Sequence, residues 1–132
     1  MSRHVPPPPA VRAALEEIFA APVGHVRVSE YSWFARAHAG AIATTRPWRI
    51  YLKGSAAEFY ADARLMLHEY CHVLHQWQPR RLTLARYLAE WLRRGYWRNR
   101  FEVEARAFAD AHAARLHARL GAAPQPSSAS RR

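Results

Sequence analysis

One cysteine, Cys71, and one lysine, Lys53, are all that this 132-residue chain has of either type. A single thiol excludes an intramolecular disulfide framework, so the fold must rest on packed apolar side chains. No run approaches the roughly 18 to 20 uninterrupted apolar residues of a membrane span. The start of the chain has no apolar leader segment, because Met1-Ser2-Arg3-His4-Val5 runs straight into four prolines. The default expectation is a reducing, cytoplasmic setting, with export by a signal-independent route as the other option. Acidic residues are scarce as well: 10 Asp+Glu stand against 20 Lys+Arg, a formal charge of +10. Such an excess can attract phosphate backbones or anionic surfaces. Here nearly every cation is arginine and alanine is abundant, a composition that genomic base bias also produces.

What is present suits one α+β domain. Half of the residues are hydrophobic, enough for a sizeable core. Residues 1–9 read as a disordered Pro-rich arm. Ala10–Ala20 predicts a helix with Val11, Leu15, Ile18 and Phe19 on one stripe, ended by Pro22 and Gly24. His25–Phe34 reads as a strand. Ala41–Thr45 and Trp48–Lys53 are two further β-prone runs, bent at Arg46-Pro47. In the second, Trp48, Ile50 and Leu52 alternate with Arg49, Tyr51 and Lys53. The expected product is a small antiparallel sheet.

Three helices should follow. Ser55-Ala56-Ala57-Glu58 has the form of a capping box, so a helix can run from there to Gln78, before Pro79. Thr83–Arg94 is amphipathic, with Leu84, Tyr87, Leu88, Trp91 and Leu92 as the inward set and Gly95 as its end. The last helix covers about Arg100 to Leu120. The domain is thus expected over 10–120, followed by a disordered Pro/Ser/Ala tail over 121–132.

The first of these three helices carries the chemistry. His68-Glu69-Tyr70-Cys71-His72 spells H-E-x-x-H. Helical positions four apart lie on one face, one turn above each other, so both imidazoles can reach one metal ion. Glu69 is displaced by about 100° around the axis, which suits a base better than a ligand. Leu65, Met66, Leu67, Val73 and Leu74 give the motif an apolar setting. Cys71 points away from the ligand face and reads as a small buried residue.

Zinc needs a third protein ligand. A metzincin extension would place Gly and His three and six residues after His72; those positions hold His75 and Gln78, so that class is excluded. His75 shares the ligand face, but it lies about 10 Å along the axis from His68, too far to join it on one ion. It is a candidate for a transition-state or substrate-side role, or a plain helix-end histidine. The last helix offers Glu102 and Glu104, which are about 200° apart, so at most one faces the metal. Glu102 shares a stripe with Ala105, Ala109 and Ala113, small residues that would let two helices approach closely; it could also form a capping box with Asn99.

The run from Phe101 to Ala109, F-E-V-E-A-R-A-F-A, resembles the E-x-x-A-D-x-F-A signature of gluzincin-type metallopeptidases. The order of elements over about residues 40 to 112 resembles the small bacterial zincin-like domain of extracellular contractile injection system proteins. The resemblance implies a minimal zincin-like fold, with His68, His72 and Glu102 as ligands of Zn2+ and Glu69 as the base. Where that family has an Asp that orients a ligand histidine, this chain has Arg106.

The function expected is a zinc metalloendopeptidase-like hydrolase, acting on a peptide or protein through a zinc-bound water that Glu69 activates. Tyr96, Tyr87, His75 or an arginine would supply the oxyanion donor. The edge of the Trp48–Lys53 strand could take an extended substrate by strand addition. The alternative is a metal-stabilised module of weak or no turnover, with an interaction or self-processing role; Arg106 favours it and the intact Glu69 opposes it. A third option is nucleic-acid binding. Residues 80 to 100 carry Arg80, Arg81, Arg86, Arg93, Arg94, Arg98 and Arg100 beside Tyr87, Trp91, Tyr96 and Trp97. It is less favoured than an amphipathic helix whose aromatics face the core. No motif indicates an oligomeric state.

Overall fold

The computed structural model describes residues 3–32 and 43–122. Helix α1 (Pro9–Phe19) opens on a proline, whose missing N–H is not needed in a first turn. It buries Val11, Ala14, Leu15, Ile18 and Phe19, the expected stripe plus one alanine.

The described residues before α1, from Arg3 to Pro8, differ from the expected disordered arm. Arg3–His4 forms strand β1, antiparallel to β2 (Arg27–Glu30), and Val5 N–H continues the ladder to the Val28 carbonyl at 2.8 Å. The Tyr60 hydroxyl donates to the Val5 carbonyl at 2.5 Å, and Arg3 pairs with Glu30. The prolines begin only at Pro6, so the residues ahead of them keep the N–H groups that a strand requires.

The sheet is mixed rather than wholly antiparallel. Its order is β1-β2-β4-β3, with β3 spanning Ala43–Arg46 and β4 spanning Arg49–Leu52. The β3–β4 hairpin forms as expected, with Thr45 opposite Ile50. It enters the sheet with β4 innermost, parallel to β2, so that Val28 lies opposite Ile50. Trp48 does not join the inward row of Ile50 and Leu52. It sits in the hairpin turn at φ 61° and is 54% exposed. Because β4 is paired on both sides, it has no free edge for strand addition; among the described residues the outer strands are β1 and β3.

Ser55 caps as the sequence predicts, its Oγ accepting from Glu58 N–H at 3.1 Å. The helix it starts, α2 (Ala56–Tyr60), soon stops. Asp62 then caps a new one, α3 (Ala63–Cys71), through a bond from Leu65 N–H at 3.0 Å. The expected single helix is therefore two, because an Asp at this point offers a fresh N-cap. From His72 to Trp77 the chain winds as a π-helix, closed by a Gln78 N–H bond to the Val73 carbonyl at 2.8 Å. Met66, Leu67, Tyr70, Cys71 and Val73 are fully buried and, with Val28, Ile50 and Leu52, form the core.

Helix α4 (Leu84–Arg98) departs most from expectation. Leu84, Leu88, Trp91 and Leu92 are between 48% and 77% exposed, and Glu90 is the buried residue. The Glu90 carboxylate turns inward to accept from Arg100 N–H at 3.2 Å, with Arg93 and Arg94 beside it. Satisfying the start of the next helix fixes which face of α4 points in. Gly95 interrupts α4 at φ 76°, ψ 176°, a conformation that only glycine adopts readily. Helix α5 (Arg100–Ala122) then packs along α3, with Ala105 and Ala109 buried at the crossing. Residues 121–122 continue α5. The rest of the expected tail, and residues 33–42 with the ends of two expected β-runs, lie outside the described residues. No helix among the described residues is long and apolar enough to cross a membrane.

Candidate metal centre

Helix α3 and the start of the π-helix place the His68 and His72 rings 4.9 Å apart, nearly perpendicular to each other. The close α3–α5 crossing brings Glu102 over them. Its Oε1 lies 2.9 Å from His68 Nε2 and 3.1 Å from His72 Nε2. Ligand atoms of these three residues fall within 4.8 Å of one another, and this is the one such group among the described residues. Glu102 is therefore not the Asn99 capping partner; Asn99 Oδ1 accepts instead from Phe101 N–H at 2.9 Å.

The electrostatics fit a cation at this point. His72 Nδ1 faces Gln76 Oε1 at 2.6 Å. The Gln76 amide nitrogen is committed to two acceptors, the Phe101 carbonyl at 2.9 Å and Glu104 Oε1 at 2.7 Å. Its oxygen must then face the imidazole, and Nδ1 must carry the hydrogen. With Nε2 aimed at a carboxylate, the ring lies between two acceptors and needs a second positive partner there, a proton or a metal ion. Burial alone would lower the His72 pKa, but the Glu102 hydrogen bond and charge outweigh it and raise it to about 9. Burial would likewise raise Glu102, yet bonds from His68 and His72 hold it well below the usual carboxylate range.

Glu69 is buried beside this group. Desolvation raises its pKa, with the two histidines opposing and Glu102 assisting. Two tyrosines close the site. The Tyr87 hydroxyl donates to Glu102 Oε2 at 2.9 Å. Tyr96 is half exposed, and burial together with the Glu102 and Glu69 charges pushes it up to about 12.

Glu104 and His75 do not join the triad. Glu104 is held by both guanidinium nitrogens of Arg81, at 3.1 and 2.9 Å, and by Gln76. His75 packs edge-on against Phe19 and Phe108, with ring centroids 5.3 and 5.0 Å away, so its ring belongs to the aromatic core. Arg106 stacks over Trp97 at 3.8 Å and donates to the Trp97 carbonyl. Cys71 is buried, which raises its thiol to about 12. Gln76 is the side chain of the candidate site that sequence reasoning missed. Its signal was its position four residues beyond His72, on the same helix face.

The profile of the eCIS core domain family matches residues 6–80. The chain belongs to this family. The match takes in α1, strands β2, β3 and β4 and the H-E-x-x-H helix, and it ends before α4 and α5, so Glu102 lies beyond it. No curated protein and no solved structure matches the chain.

Proposed function

We propose that this chain is a metal-holding module of the eCIS core family, and that its ion is zinc, held by His68, His72 and Glu102. One observation carries this: two imidazoles from one helix converge on a single buried carboxylate oxygen from another. Two histidines and a glutamate form a ligand set that zinc uses with a position left for water.

The finer reading is a zinc-dependent peptidase. Bound there, zinc supplies Lewis acidity and a water of lowered pKa. The chain's own residues supply the rest. Glu69, raised by burial, accepts a proton and returns it to the leaving amine. Tyr96, the more exposed of the two tyrosines beside Glu102, keeps its hydroxyl hydrogen at neutral pH and serves as donor to a developing oxyanion. The outer edge of β3, unpaired among the described residues, accepts an extended peptide, since this strand packs beside the zinc-binding helix and Thr45 bonds to Trp77 at 3.1 Å.

A second reading keeps the metal and drops the turnover. The family match supports a place in the assembly for which the family is named, the extracellular contractile injection system. The exposed apolar face of α4 is the kind of surface that packs against a partner. Zinc content and proteolysis of unfolded proteins, compared between wild type and Glu69→Gln, separate the readings. The peptidase reading expects one zinc in both and a loss of cleavage of about 10²- to 10⁴-fold in the variant. Zinc in both, with no cleavage that the variant loses, leaves the assembly module alone.

A further inference from the structure

We propose that Gln76 is the positioning residue of the metal centre, fixing His72 through its side-chain amide, and that Glu104 and Arg81 lock that amide in place. The inference rests on the metal-holding reading above. Gln76 is fully buried, and all of its polar capacity that matters is directed. Its oxygen faces His72 Nδ1 at 2.6 Å, and its nitrogen donates to Phe101 O and Glu104 Oε1. Neither of those acceptors can donate, so the amide cannot flip without placing oxygen against oxygen. Glu104 is in turn clamped by Arg81, which also donates to the His75 carbonyl at 3.0 Å. A continuous path therefore runs from the solvent-facing Arg81 through Glu104 and Gln76 to the imidazole.

The π-helical turn supports this arrangement. It begins at His72 and contains Gln76, and its wider winding keeps residues four apart close to the same line. The result is a ring whose Nδ1 holds the hydrogen for Gln76 and whose Nε2 is left to face Glu102 Oε1, as a proton donor without metal or as a ligand with it. Metal-binding histidines usually obtain this from a carboxylate or carbonyl acceptor. Arg106, at the position where the resembling peptidases carry a carboxylate, is engaged with Trp97 instead. Glu104, one of the two candidate ligands on the last helix, acquires a role one step further out.

The test compares wild type, Gln76→Ala and a paired variant. Zinc affinity is measured by chelator competition, ligand geometry by the absorption of the cobalt(II)-substituted protein, and folding by thermal unfolding without metal. Gln76→Glu is made together with Glu104→Gln, so that the new carboxylate meets an amide donor and not a second carboxylate; the pair keeps an acceptor for His72 but loses the bond to the Phe101 carbonyl and the Arg81 ion pair. Positioning predicts a 10- to 100-fold loss of zinc affinity and an altered cobalt spectrum in Gln76→Ala. It predicts affinity within about threefold of wild type in the paired variant. A structural tie between helices predicts that both variants lose affinity together, and that result overturns the proposal, as does wild-type affinity in Gln76→Ala. If Gln76→Ala does not fold, the paired variant decides alone: affinity kept supports positioning, affinity lost rejects it. Failure of the wild type to bind zinc or cobalt is a separate result, and it rejects the metal reading itself.

Discussion

Tyr87 and Glu102 are joined by a hydrogen bond of 2.9 Å to Oε2, on the side of the carboxylate away from the two imidazoles at Oε1. The two oxygens of one glutamate thus have separate duties. One faces the two imidazoles of the candidate centre, and the other is held by a phenol from the preceding helix. Of the apolar positions that the α4 pattern turned inward, Tyr87 is the one that points toward the body of the protein, and it does so at the candidate third ligand.

Replacing Tyr87 with phenylalanine should leave the fold intact and loosen Glu102. Loss of an outer partner of this kind lowers metal affinity by about tenfold or somewhat more. A hydrogen bond to a charged group also contributes about 1.5–3 kcal/mol, so the metal-free protein should melt earlier. Chelator competition and thermal unfolding check the two effects. Unchanged zinc affinity would show that helix packing alone holds the carboxylate.

Metal-free stability should fall as pH rises from neutrality. The His72 pKa is raised to about 9 in the folded chain, above the ordinary 6.5. The charged ring therefore stabilises the fold fully below about pH 6.5, and that contribution is lost as pH climbs through about 9. Glu102, shifted down, loses its contribution only in acid, outside this window. In chelator, the protein should unfold at a lower temperature at pH 9 than at pH 6.5. Zinc must displace the same proton, so its affinity should rise by up to about tenfold per pH unit until His72 is neutral. Affinity that is flat across this range would count against His72 as a ligand.

Ala105 is fully buried where α5 crosses α3, one turn from Glu102. Substitution by leucine overpacks that contact and should cost about 1–3 kcal/mol in denaturant unfolding. It should also weaken zinc binding, because the displaced helix carries the ligand. Leucine at the exposed Ala114 is the control and should change stability by less than about 0.5 kcal/mol. Equal effects at the two positions would refute the role assigned to the small-residue stripe.

The α1 stripe, the Ser55 cap and the β3–β4 hairpin were legible because each depends on residues close in the chain. The Ala105–Ala109 stripe beside Glu102 was legible too, since small residues on one helix face mark a close approach. Two features were not. The apolar face of α4 could be read as a face, but periodicity does not say what covers it; Glu90, paired to the start of α5, turned that face outward. Strand order was equally hidden, because Val28 and Ile50 meet in parallel only after the chain has passed through β3.

The sequence by itself determined the pair of histidines, the glutamate between them and the helix that presents all three, because 3.6 residues per turn set those positions locally. It also offered Glu102 and Glu104 as candidate third ligands, with Glu102 the one that the resemblance implies. Only the tertiary structure brought one of them to the imidazoles. Packing of α5 on α3 turned Glu102 to the imidazoles and left Glu104 to Arg81 and Gln76, a choice made by contacts some thirty residues apart in the chain. The orienting partner of His72 was decided in the same way. The amide of Gln76 points as it does because Phe101 and Glu104, on another helix, accept its hydrogens.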